Sequence, residues 1–176
     1  MTVNFGTHTI NYPKLELVSG IILVTGASGT GKTTLLMVLH GILKADGPIP
    51  NVEGSSSIMS QTPTWIPYLR MHEQLKVAGA QGVDFTSLGL DQLVRRFPHE
   101  LSIGQLQRFS LLAALHVDSE LLLLDEPTSA LDDDWADKAI ELIENWSIDN
   151  PLGTVIVVTH DERLKKAFSA AKRFEL

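Results

Sequence analysis

An α/β fold, a parallel sheet flanked by helices with a small helical subdomain and a short N-terminal β region, is predicted by three observations. Short apolar runs alternate with helical segments, and the runs are apolar at both side-chain parities, as in strands buried on both faces. A glycine-rich loop, Gly26-Ala-Ser-Gly-Thr-Gly-Lys-Thr33, separates the first of these runs from a helical segment. From Thr62 to about Glu100 the alternation gives way to prolines, scattered aromatics and short amphipathic pieces, which read as a mostly helical insertion.

In order, Met1 to Gly20 is a lead-in with Val3, Phe5, Ile10, Tyr12, Leu15 and Leu17 at strand spacing, broken by Pro13 and placed to cover one edge of the sheet. Ile21–Val24 is a buried strand. The helix from Lys32 is expected to run to about Leu43 and stop at the Asp46-Gly47-Pro48 breaker. Ser56–Ser60 is a weaker strand ending at Gln61. After Ser102 a helix reaches about His116, then come a strand at Glu120–Leu124, a helix at Asp133–Trp146 and a strand at Thr154–Thr159. Asp161–Ala171 reads as helix and Lys172–Leu176 as a last edge strand.

The chain has 176 residues, enough to bury about 70% of its unfolded surface as one domain. A hydrophobic share of 44% with 20% charged residues excludes a disordered chain. The formal charge of -7, with no basic stripe, argues against a nucleic-acid partner. No cysteine is present, so disulfides and thiolate metal sites are excluded. No apolar stretch approaches the ~20 residues of a membrane span and the start lacks a basic-then-apolar signal, so any link to a membrane is expected to run through a partner.

The glycine-rich loop fits G-x-x-x-x-G-K-[ST], the P-loop, in the strand-loop-helix setting the motif requires. Gly26, Gly29 and Gly31 let consecutive N–H groups curl around phosphate oxygens at the positive end of a helix dipole. Lys32 is expected to reach the β- and γ-phosphates, and the Thr33 hydroxyl to hold Mg²⁺. The apolar strand before Asp125-Glu126-Pro127 ends in two carboxylates: Asp125 suits the second metal-holding position and Glu126 a general base that polarises water. Because ligands bind beyond the carboxyl ends of parallel strands, the P-loop, Gln61, Asp125-Glu126 and His160 should share one rim. Ser102-x-x-Gln105 has the form of a capping box, so the helix beginning there offers a positive end at Ser102 and Gly104, suited to an anion. His8, His40, His72, His99 and His116 share no metal-ligand spacing and read as structural or solvent-facing.

Taken together, Gly26–Thr33, Gln61, Leu101–Gln105, Leu121–Pro127, Ser129–Asp132 and Thr159-His160 resemble, in order, the Walker A, Q-loop, signature, Walker B, D-loop and switch-histidine motifs of ATP-binding cassette (ABC) ATPases. The resemblance spans roughly residues 20 to 162, and Pro98-His-Glu100 is similar to the importer and lipoprotein-release branches. It implies a RecA-like P-loop NTPase core, 1–61 and 115–176, with a helical subdomain at about 62–114. It implies two copies head to tail around two ATP molecules, driving transmembrane subunits from the cytoplasmic face of a membrane, with the cargo recognised by the membrane chains. By the same resemblance Gly26, Ser28, Gly29, Gly31, Lys32, Thr33 and Thr34 wrap the phosphates. Gln61 touches Mg²⁺ or the attacking water, and Ser102, Gly104 and Gln105 approach the γ-phosphate held by the other copy. Asp132 contacts that copy's P-loop, and His160 bonds the γ-phosphate.

Three departures accompany the resemblance. Ile103 stands where the family's signature has glycine, which predicts slower turnover if the backbone there needs a glycine-like conformation. The aromatic that stacks on adenine falls to Phe5 first and Tyr12 second. The chain is short after His160 and is expected to carry no regulatory domain. In the insertion, Trp65 and Leu69 are expected to pack inward, and Tyr68 and Arg70 to face a docking partner. The alternatives are a soluble ABC ATPase outside transport, a weakly hydrolysing nucleotide-gated module, and a P-loop kinase, which leaves Leu101–Gln105 and Ser129–Asp132 unexplained.

Overall fold

The computed structural model describes residues 1–6, 8–50 and 54–176. Its centre is a five-stranded parallel sheet in the order β4-β5-β6-β3-β7, built from β3 (Gly20–Thr25), β4 (Ser56–Met59), β5 (Leu121–Asp125), β6 (Thr154–Val158) and β7 (Lys172–Glu175). β1 (Thr2–Asn4) and β2 (Thr9–Asn11) form a separate antiparallel pair.

The double-sided burial expected from the apolar runs follows from side-chain alternation. Ile22, Val24, Leu121, Leu123, Ile156 and Val158 point to one face, where α1 (Lys32–Leu39) and the N-terminal residues Val3, Tyr12 and Leu15 cover them. Leu23, Leu122, Leu124, Val155 and Val157 point to the other face, against α3 (Ile103–Leu115), α4 (Asp133–Asp149) and α5 (Glu162–Ala167). Each fully buried aliphatic side chain contributes about 1.5–3 kcal/mol, so the two apolar layers fix the register of the sheet.

Several boundaries differ from the sequence expectation. The lead-in covers a face of the sheet rather than an edge, because β7 already pairs with β3 on that side. α1 stops at Leu39, not Leu43: Gly41, at φ 81°, adopts the left-handed conformation that ends helices, ahead of the Asp46-Gly47-Pro48 breaker. α4 runs on to Asp149, where Pro151 prevents continuation, and α5 ends early, at Ala167. The insertion is less helical than expected. It holds one two-turn helix, α2 (Met71–Val77), and two 3-10 turns at Asp91–Leu93 and Pro98–Glu100, because prolines and left-handed glycines interrupt it. Trp65 packs against the core as expected, and Tyr68 is 78% exposed. Leu69 is half-buried, and Arg70 is turned onto its own chain, with its guanidinium over the Phe97 ring and bonded to the Arg95 carbonyl. Among the described residues no helix is long and apolar enough to cross a membrane.

Candidate functional site

Strand register sets the site. Val24, Val158 and Asp125 lie in one row across β3, β6 and β5, so the residues that follow them emerge at the same level. The loop after β3, Gln61 beyond β4, Glu126 after β5 and His160 after β6 therefore meet at one rim. There they line a cleft of about 360 Å³ with Ser28, Gly29, Gly31, Lys32, Thr33, Thr34 and Asp125.

The glycine-rich loop is held from below. Gly31, at φ 97°, caps α1, and a Cβ there would stand 2.7 Å from the Tyr12 hydroxyl. Tyr12 donates to the Gly31 carbonyl at 2.9 Å, and burial pushes its phenol above its ordinary pKa. Tyr12 is thus a buried brace for the loop, and its ring presents no stacking face to the cleft. Gly26, at φ 146°, allows the Leu176 carbonyl to lie against the loop, where a Cβ would collide with it. Lys32 is buried and donates to the Gly26 carbonyl at 3.0 Å and the Ala27 carbonyl at 2.7 Å, so its ammonium faces the concave side of the loop.

Thr33 donates its hydroxyl to Asp125 Oδ2 at 2.6 Å. Burial raises the Asp125 pKa, opposed by the Thr33 hydroxyl and the nearby Lys32 charge. A hydroxyl and a carboxylate this close are hard oxygen donors of the kind Mg²⁺ takes when it shares its shell with phosphate and water, so the donor set fits that ion. Among the described residues no cluster of three or more His, Asp or Glu forms a self-sufficient metal site.

Glu126 is the one non-glycine residue with positive φ among the described residues, at 52°. Such a conformation costs about 1–2 kcal/mol and persists only where its surroundings enforce it. The Glu126 N–H bonds the Val158 carbonyl at 2.9 Å, and its carboxylate accepts the His160 N–H at 3.1 and 3.2 Å and the buried Thr159 hydroxyl at 3.3 Å. The His160 ring lines the cleft, half-exposed, with its Nε2 3.9 Å from Glu126 Oε1.

The remaining expected residues lie elsewhere. Ser102, Gly104 and Gln105 do not line the cleft of their own chain. The capping box is present: the Gln105 N–H donates to Ser102 Oγ at 3.2 Å and the Ser102 N–H to Gln105 Oε1 at 2.9 Å. Ile103 is the first residue of α3, with ordinary helical backbone and 77% exposure. The concern that its position needs a glycine-like conformation is therefore corrected, since the turn is built on Ser102. Gly104 is required for another reason, as a Cβ there would stand 2.8 Å from the Ala130 carbonyl. Asp132 caps α4, accepting the Trp135 N–H at 3.0 Å. Phe5 is 49% exposed and outside the cleft lining, whereas His8 and Ile10 line it. β1 and β2 pair so that β2, not β1, runs beside the loop, and His8, exposed as expected, stands at the border of the cleft.

Sequence reasoning missed the residues that brace the rim. Thr128 donates to Asp161 Oδ2 at 2.6 Å, and Arg163 grips Asp161 Oδ2 at 2.7 Å, Asp133 Oδ1 at 2.7 Å and the Thr128 carbonyl at 3.3 Å. The Arg163 guanidinium, with help from Thr128, holds the Asp161 carboxyl at a pKa of about 2, against the opposing effect of burial. A carboxylate with a depressed pKa stabilises the fold above its unfolded pKa and loses that contribution as pH falls through the folded value. Asp161→Asn is therefore expected to lower the unfolding temperature at neutral pH, the gap to wild type closing between the ordinary 3.8 and about 2. Thermal unfolding of both proteins across acid pH checks this; a gap that persists unchanged at the acid end would contradict it.

The family model described as ABC transporter matches residues 14–129. The ATP-binding protein HrtA of Staphylococcus aureus strain MRSA252, which carries hemin import in its name, is 32% identical over 195 aligned residues, covering 92% of this chain and 88% of that one. A dimeric ATP-binding cassette solved in a post-hydrolysis state with ADP and phosphate superposes with a TM-score of 0.74 at 22% identity, over 94% of this chain and 87% of that one. An archaeal ribosome recycling factor, solved with a ribosomal stalk protein, superposes with a TM-score of 0.75 at 23% identity over 94% of this chain, which spans 34% of its length. At these identities the two structural likenesses speak for the fold alone.

Proposed function

The chain belongs to the ABC transporter family of ATP-binding proteins, and from that premise we propose a hydrolytic mechanism for its cleft and a two-copy working unit. It is the ATP-binding, ATP-hydrolysing subunit of a transporter. The observation that carries the mechanism is the convergence of Lys32, the Thr33–Asp125 pair, Glu126 and His160 on one cleft from which Ser102, Gly104 and Gln105 are absent.

Loop N–H groups from Gly26 to Thr34, with the Ser28 side chain, bind the phosphates, and Lys32 exchanges its two carbonyl partners for phosphate oxygens. Thr33 and Asp125 would hold Mg²⁺, with Gln61 nearby. When bound, that ion would supply positive charge against the charge developing on the phosphate oxygens. Glu126 takes the proton of a water whose oxygen attacks the γ-phosphorus as the bond to the ADP oxygen breaks. The strained Glu126 backbone and the His160 and Thr159 bonds hold that carboxylate in place, while His160 faces the γ-phosphate and senses its presence. His8 and Ile10, rather than Phe5, border the nucleoside, since they line the cleft.

The signature residues serve a second copy of the chain, placed head to tail, where Ser102, Gly104 and Gln105 meet the nucleotide of the partner and Asp132 its P-loop. We assign 1–61 and 115–176 to the core and about 62–114 to the helical subdomain. Transmembrane subunits dock on the latter, which places the protein at the cytoplasmic face of a membrane. The purified protein should release phosphate from ATP without a phosphorylated acceptor and co-purify with a membrane-spanning chain. Phosphoryl transfer to an acceptor, or retention on ribosomes or DNA in place of a membrane protein, would overturn this reading.

A further inference from the structure

Gln107 is 4% exposed, lies one turn beyond Gly104 on α3, and has no place in the mechanism above. Its amide is used at both ends. Nε2 donates to the Glu126 carbonyl at 2.8 Å and to Ser129 Oγ at 3.0 Å, and Oε1 accepts the Ala130 N–H at 2.8 Å. Both N–H donors and the carbonyl of one side chain are thus committed to the segment that leaves β5. Gly104 presses against the same segment through the Ala130 carbonyl. On its far side Arg163 bonds the Thr128 and Leu131 carbonyls. The segment between Glu126 and Asp132 is therefore clamped from α3 and from α5.

The consequence falls on Glu126. Its φ of 52° is unfavourable for a residue with a Cβ, and relaxation toward the right-handed region would swing its carbonyl and re-aim its side chain. Val158 holds the N–H side of that residue, and on the carbonyl side the Ser129 N–H donates at 3.2 Å and Gln107 adds the shorter bond at 2.8 Å, the one that comes from α3. We propose that Gln107 is a positioning residue that ties the seating of the signature helix to the aim of Glu126. Because the helix end at Ser102 meets nucleotide on the other copy, Gln107 makes the hydrolytic geometry of one site depend on contact with the second. This rests on the reading of Glu126 as the base and of Ser102–Gln105 as facing a partner.

Two variants separate positioning from packing. Gln107→Glu keeps the shape and the bond to Ala130 but sets an oxygen against the Glu126 carbonyl; Gln107→Met keeps the length and removes all three bonds. Both are expected to lower kcat about ten- to a hundredfold, the scale of a misaligned catalytic group, with KM and directly titrated ATP affinity within about threefold of wild type. In a Glu126→Gln background, Gln107→Met should add little further loss, since a residue acting through Glu126 has nothing left to aim. Turnover within twofold of wild type for both variants would overturn the proposal. So would kcat and ATP affinity falling together in step with the unfolding temperature, or full additivity with Glu126→Gln. If Glu126→Gln itself turns over like wild type, the reading of Glu126 fails instead, and that result is separate from these.

Discussion

Glu126→Gln is expected to bind ATP as wild type does, to hydrolyse it about 10²–10⁴-fold more slowly, and to accumulate as a dimer in the presence of ATP. An amide oxygen at the Oε2 position still accepts the Thr159 hydroxyl and the His160 N–H, which both reach that oxygen, so two of the three rim bonds remain. What it loses is the capacity to take a proton from water. With chemistry blocked after binding, the two-copy state has no route to release and is trapped. Single-turnover phosphate release with sedimentation in ATP measures both halves of this prediction. A variant with normal turnover removes Glu126 from the mechanism.

Lys32→Ala should instead act on binding. In the free loop the ammonium is shared by the Gly26 and Ala27 carbonyls, a cheap arrangement to abandon when a phosphate arrives. Charge-assisted hydrogen bonds to such a group are worth about 1.5–3 kcal/mol, so the variant should lose about ten- to a hundredfold in ATP affinity. The loop should remain folded, because Tyr12 beneath it and the glycine conformations at 26, 29 and 31 hold its backbone. Nucleotide titration alongside thermal unfolding checks the pair of claims. An unchanged titration would contradict the assignment of the loop to phosphate.

Much of this architecture was legible in the sequence because its signals are local. Leu121–Leu124 and Val155–Val158 are apolar at every position, as strands covered on both faces are, and Asp125-Glu126 and Thr159-His160 directly follow them. Ser102 and Gln105 announce their capping box by spacing alone. What escaped depends on distant partners. No local rule says that Tyr12 lies under Gly31, that Arg163 reaches Asp161, Asp133 and Thr128, or that a glutamine on α3 bonds the carbonyl of Glu126. Gln107 did leave a trace, as an amide among the apolar positions of α3, but a buried amide shows its purpose only once its partners are known. The boundary errors have a similar origin: Gly41 ends α1 early because its backbone takes the left-handed conformation, one permissible outcome among several for a glycine.

On the proposed reading, the cleft of one chain is half of a hydrolytic site. It holds Lys32, Thr33, Asp125, Glu126 and His160 but none of the residues at the start of α3. The measurement that tests this most directly is ATP turnover per mole of protein as a function of protein concentration, at saturating ATP and without membrane subunits. Specific activity is expected to rise with concentration and level off where dimer dominates, while ATP affinity measured on dilute monomer is already present. Specific activity independent of concentration, in a range where sedimentation shows only monomer, would contradict it.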